Sequence, residues 1–135
     1  FTDNTIHVAN VMSQLKTDSA FKDKNNIKVV IDQDDNALYF SREPIPSHWS
    51  SDHVVPRYMQ TGVIAFRRNA LLNFNNMEET PLEQIESIDM NRILETGGRI
   101  KMVLTDLPII GVDTPNDLIE ANRLMETDAL VEFYI

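Results

Sequence analysis

Residues 27–41, "IKVVIDQDDNALYFS", decide the fold, and two readings compete for them. Asp32, Asp34, Asn36 and Glu43 fall on the first, third, fifth and twelfth positions of an EF-hand calcium loop, the oxygen-ligand spacing of that motif. The sixth position is Ala37, where the loop's sharp turn needs glycine. The flanks "IKVVI" and "ALYFS" are rich in β-branched and aromatic residues, which suit strands and not EF-hand helices. The acidic segment between them has turn chemistry. The stretch therefore predicts a β-hairpin with an exposed acidic turn, and the calcium reading fails on context.

Upstream, "DNTIHVANVMSQLK" (3–16) spaces Ile6, Val8, Ala9, Val11, Met12 and Leu15 on a broad helical stripe. With Asp3 or Thr5 as its cap, it predicts a helix with His7 at its edge. Downstream, 44–57 reads as a loop with three prolines, two histidines and the only tryptophan. His48, Asp52 and His53 are metal-ligand residue types, but their spacing fits no zinc pattern, so a solvated loop is favoured. "TGVIAF" (61–66) predicts a strand and "RNALLNF" a short helix. Residues 80–96 predict one long helix: Thr80 as N-cap, Pro81 in the first turn, Glu83 completing a capping box, and Gly97-Gly98 as the stop. "RIKMVLT" (99–105) and "IIGV" (109–112) read as strands, 115–126 as a helix, and "ALVEFYI" (129–135) as a further strand. Strands alternating with helices predict an α/β architecture, with 1–135 as a single domain.

The 135 residues suffice for one domain with a real core. A composition of 42% hydrophobic and 24% charged residues is ordinary for a soluble globular protein. The net charge of −9 argues against nucleic-acid binding, which needs clustered Lys and Arg. A nucleotide substrate stays compatible, since a few placed cations or a metal can hold it. The absence of cysteine excludes a disulfide framework and a zinc-thiolate site, and suits a reducing cytoplasm. No apolar run approaches the ~18 residues of a membrane span. No signal peptide is visible, although the chain opens on Phe1 without Met, which leaves a leader open.

The segment "IIGVDTPNDL" (109–118) carries the strongest chemical hint. Thr114, Pro115 and Asp117 form a capping box by themselves, so the helix start is satisfied without Asp113. Asp113 would then stand at the carboxyl end of a strand, where ligands bind in open α/β sheets. A carboxylate there can hold Mg²⁺, which bridges phosphate oxygens. Equally, Asp113 can simply accept main-chain N–H bonds in the turn.

Three blocks, "IKVVIDQDDNALYFSREPIP", "TPLEQIESIDMNRIL" and "GVDTPNDL", occur in the order and character found in 3-deoxy-manno-octulosonate (Kdo) cytidylyltransferases. The resemblance runs from about Ile27 to Met125. It implies a Rossmann-like nucleotidyltransferase fold, a mixed sheet with flanking helices. It further implies transfer of CMP from CTP to an acidic keto-sugar with release of pyrophosphate, a requirement for Mg²⁺, and a homodimer whose sugar side adjoins the subunit contact. By the same resemblance Asp113 is the catalytic metal-binding aspartate. Arg42 stands near the sugar carboxylate, a task that suits a guanidinium. Glu83 and Asp89 belong to the helix lining the sugar site, although Glu83 is equally explained by its capping box.

Two departures fall on the sugar side. Gln60 stands where a sugar-binding His is usual, and Met90 replaces an amide side chain. The identity of the acidic sugar is therefore open to Kdo or a related acid. The phosphate loop and the Asp-Glu-Pro segment of such enzymes have no counterpart here. Residues 1–16 resemble the helix after that segment, and the stretch from Leu15 to Ile27 looks one strand too short. The chain is thus expected to be the C-terminal part of such an enzyme, inactive alone because the CTP-binding part lies outside it. The competing expectation is a non-catalytic dimerisation or binding module, with the acidic surface and the aromatic tail meeting a partner.

Overall fold

The computed structural model describes residues 2–47, 49, 56–107, 111–112 and 114–133. The predicted hairpin is present. Strand β2 (Lys28–Ile31) pairs antiparallel with β3 (Ala37–Ser41). The turn is organised by Asp32, whose carboxylate accepts the N–H groups of Asp34 at 2.9 Å and Asn36 at 2.7 Å, while Asp35 takes a positive φ of 54°. Asp32, the first acid of the rejected calcium loop, is thus committed to the turn.

The first element differs from the expectation. Residues Val8–Gln14 form strand β1, not a helix, and lie between β4 (Tyr58–Phe66) and β5 (Lys101–Leu104). β1 runs antiparallel to β4 and parallel to β5, so it is a central strand. Val8, Asn10 and Met12 point into the core, a period of two. Helix α1 (Asp18–Lys22), capped by the Thr17 hydroxyl, links β1 to β2. The five-stranded mixed sheet has the order β3-β2-β4-β1-β5. It is strongly curled, because the hairpin turn at one edge bonds to β5 at the other: Met102 N–H donates to the Asp35 carbonyl at 2.7 Å.

One face of the sheet is covered by α2 (Arg68–Asn76) and α4 (Met90–Glu95). The core joins Val8, Met12, Val29, Phe40, Met90, Ile93, Ile100 and Met102, with Phe66 and Phe74 packed against it. On the other face, Ala9, Val11, Val63, Ala65 and Val103 line a shallow apolar groove of about 340 Å³. Val63 and Val103 there are half exposed.

The long helix predicted over 80–96 is two helices. α3 (Pro81–Glu86) ends at Ser87, which adopts the left-handed conformation (φ 55°, ψ 49°), and α4 starts three residues later. In one continuous helix, Ile88 would lie about 140–160° around the axis from Met90 and Ile93. All three are buried here, and the break at Ser87 is what lets them face one core. The last helix, α5 (Pro115–Met125), keeps its predicted cap. The further strand expected at the end is instead a 3₁₀ turn over Val131–Phe133. Residues 109–110 of the predicted "IIGV" strand, and 134–135, lie outside the described residues, as does the His48, Asp52, His53 group.

Candidate functional site

The site is built on a defect in β4. Asn10 pairs with Ile64, yet two residues on Met12 pairs with Gln60, so Thr61, Gly62 and Val63 together oppose Val11. Such a bulge bends its strand and re-aims side chains. Gly62 takes φ +78°, and the Thr61 hydroxyl donates to the Val11 carbonyl at 3.0 Å. Gln60 ends up diagonal to Asn10, whose amide Nδ2 donates to Gln60 Oε1 at 2.9 Å.

Gln60 lies in a cleft of about 450 Å³ whose walls come from three segments. These are Asp23 to Ile27 before β2, Met59 to Gly62 of the bulge, and Gly111 with Thr114, Asn116 and Asp117 at the start of α5. The α5 cap is complete: Asp117 Oδ2 accepts the Thr114 N–H and hydroxyl, both at 2.8 Å, and Thr114 Oγ1 accepts the Asp117 N–H at 3.3 Å. A helix start and an amide thus face one cleft, an arrangement suited to anionic or hydroxyl-rich ligands. Asp113, immediately before this cap, lies outside the described residues.

Arg42 is placed elsewhere. Its guanidinium donates to the carbonyls of Glu86 (2.8 Å), Lys24 (3.0 Å) and Ser87 (3.2 Å). Two of its five N–H donors thereby hold the α3 C-terminus and a third holds the segment after α1, leaving two for a ligand. The Glu86 carboxylate beneath it accepts from Tyr39 Oη (2.9 Å), Ser41 Oγ (2.7 Å) and the Arg42 N–H (2.9 Å). Burial opposes its charge, but those hydrogen bonds and the Arg42 cation outweigh burial and hold it below the usual carboxylate range.

Glu83 is buried and bound to Arg92, which donates Nε to Oε2 at 2.7 Å and Nη2 to Oε1. Its carboxylate also accepts the Thr80 N–H at 3.2 Å, closing that half of the predicted capping box. The hydrogen bonds from Arg92 lower its pKa against the opposing effect of burial. Asp89 is exposed and lines a separate cleft with Glu79, Glu83, Gln84, Ser87 and Ile88. Met90 points into the core and away from solvent. The expected site residues are therefore divided: Gln60 beside α5, Glu83 and Asp89 at the α3–α4 break, and Arg42 on the backbone of that break.

Three residues that sequence reasoning passed over organise these regions. Asn10 is fully buried and holds Gln60. Lys28, also fully buried, donates Nζ to the carbonyls of Asp23 (2.8 Å), Asn26 (2.7 Å) and Arg42, fixing the segment that walls the cleft. Asn91 bonds both to the Phe40 N–H (3.3 Å) and to its carbonyl (3.0 Å), acting as a strand partner for the free edge of β3. A polar residue inside an apolar run is the one signal Asn10 and Lys28 offered. Among the described residues, no group of three or more His, Asp or Glu side chains could hold a metal ion.

Comparison with known proteins places this arrangement. The cytidylyltransferase family model matches residues 2–101. The 3-deoxy-manno-octulosonate cytidylyltransferase of Christiangramia forsetii is 40% identical over 89% of this chain and 48% of that protein. Its counterpart in Flavobacterium johnsoniae is 40% identical over 91% of this chain and 50% of that protein. The chain thus spans about half the length of these relatives. A solved CMP:2-keto-3-deoxy-manno-octonic acid synthetase, complexed with CTP, aligns with a TM-score of 0.84 at 30% identity, over 93% of this chain and 51% of that one. The mixed sheet with its flanking helices is that nucleotidyltransferase fold, and the chain belongs to the cytidylyltransferase family.

Proposed function

We propose that the full-length protein transfers CMP from CTP to an acidic keto-sugar, Kdo or a close relative, releasing pyrophosphate, and that this chain supplies its sugar-side and dimer-forming region. The observation that carries the reading is the likeness in fold, at TM-score 0.84, to a synthetase seen with CTP. The cleft between the β4 bulge and α5 gives that reading a place for the sugar. There Gln60 offers an amide to a hydroxyl or carboxylate of the substrate. Arg42 and Asp89 contribute from the α3–α4 side, and Glu83 acts mainly by holding Arg92. Asp113 is proposed as the catalytic aspartate and as a Mg²⁺ ligand, on its position before the α5 cap and on the family resemblance. The reaction takes place in the cytoplasm.

The apolar face of β4, β1 and β5, half exposed at Val63 and Val103 among the described residues, favours further protein packing there. In the enzymatic reading that protein is the rest of the longer chain. In a second reading, that of a non-catalytic dimerisation module, it is another subunit. The test is pyrophosphate release by the full-length protein and by Asp113→Asn in CTP, Kdo and Mg²⁺. The enzymatic reading expects near-complete loss in the variant. An Asp113→Asn protein as active as the unaltered one would remove Asp113 from the chemistry, and a protein that dimerises yet ignores CTP would favour the module.

A further inference from the structure

We infer that Asn10 is a positioning residue that fixes which end of the Gln60 amide faces the sugar cleft, and thereby sets the preference for an acidic sugar. The inference deepens the proposed function and rests on it. Asn10 sits at the bulge on the central strand, fully buried, and its Nδ2 donates to Gln60 Oε1 at 2.9 Å. Gln60 lines the cleft, and its Nε2 makes no hydrogen bond among the described residues; with Oε1 held by Asn10, the group left for a ligand is a donor. A donor suits a carboxylate or hydroxyl ligand; the carbonyl end would repel the carboxylate.

The alternative arrangement rotates both amides, so that Gln60 Nε2 donates to Asn10 and Oε1 faces the cleft. Its cost can be weighed from burial. In the present arrangement the buried atom left without a partner is Asn10 Oδ1, an acceptor. In the rotated one it would be an NH₂ group at the same buried position. An under-satisfied buried carbonyl is tolerated more readily than a buried N–H with no acceptor. The pocket around Asn10 therefore selects the donor-out state of Gln60, although Asn10 itself does not line the cleft.

The test uses the full-length protein, with Kdo as the varied substrate and CTP as the control. Asn10→Asp offers Gln60 only an acceptor, which turns the amide and presents Oε1 to the cleft. The Michaelis constant for Kdo should rise roughly tenfold or more, because a donor to a charged group is replaced by an acceptor. The constant for CTP should be unchanged. Asn10→Ser, neutral and smaller, guards against a folding failure in the aspartate variant. It leaves the amide free to take either orientation, so the Kdo constant should rise about twofold, the reciprocal of the competent fraction. A histidine in place of Gln60 donates without needing Asn10 to orient it, so in a Gln60→His background Asn10→Asp should have little effect on Kdo. A structural role alone predicts the same penalty in both backgrounds, and that result would overturn the inference. So would an unchanged Kdo constant in Asn10→Asp. If the unaltered protein releases no pyrophosphate from CTP with Kdo, the functional reading fails and takes the inference with it.

Discussion

Arg92→Met should be among the most destabilising single changes in this chain, and the structure shows why. Arg92 and Glu83 have side chains only 14% and 10% exposed. The guanidinium meets the carboxylate through Nε and Nη2, and through Nη1 it donates to the carbonyls of Phe74 (3.3 Å) and Met77 (3.2 Å) at the end of α2. It also stacks on the Phe74 ring, 4.6 Å from its centroid. One side chain thus ties α4 to α3 and α2. Methionine keeps the aliphatic stem but strands a buried carboxylate, a loss of about 3–5 kcal/mol. That is a fifth or more of the roughly 5–15 kcal/mol that holds a typical domain folded. Urea unfolding of Arg92→Met, Glu83→Gln and the double variant measures it. The double variant should be more stable than Arg92→Met alone, because neutralising Glu83 removes the stranded charge. Strict additivity, or a loss below about 1 kcal/mol as at an exposed pair, would refute the reasoning.

Three further outcomes are expected. Lys28→Met, which leaves three half-buried carbonyls without their donor, should cost about 2–3 kcal/mol, measured by thermal unfolding. Gly62→Ala should cost about 1 kcal/mol from its positive φ alone, since a Cβ there meets nothing within 4 Å; a larger loss would show that the bulge is tighter than described. Glu83 and Glu86 are both held below the ordinary glutamate value of about 4.3, the first chiefly by Arg92, the second by hydrogen bonds that outweigh burial. Depressed carboxylates stabilise the fold above that value, and the gain is lost as pH falls through their folded values. Unfolding midpoints should therefore be flat in these groups above about pH 5 and fall below pH 4, and the Glu83→Gln/Arg92→Met protein should show a shallower fall.

The hairpin, both capped helices and the cytidylyltransferase likeness were legible because they rest on local chemistry: strand-forming flanks, turn acids and cap residues. β1 was not. Its exposed face carries Ala9 and Val11 while its buried face carries Asn10, so apolar residues fall on both faces and a period of two is hidden. The α3–α4 break was hidden as well, since Ser87 takes a left-handed conformation with neither glycine nor proline to announce it. At the site, Gln60 stood out as a departure from the family pattern, but its partner fifty positions away did not. The carbonyls that occupy Arg42 belong to Lys24, Glu86 and Ser87, and only the folded chain brings them together.

The most direct measurement is pyrophosphate release by the full-length protein with CTP, with and without Kdo. The account predicts release that requires both CTP and the acidic sugar. A protein that dimerises in solution yet releases no pyrophosphate with Kdo or any related keto-acid sugar would contradict it.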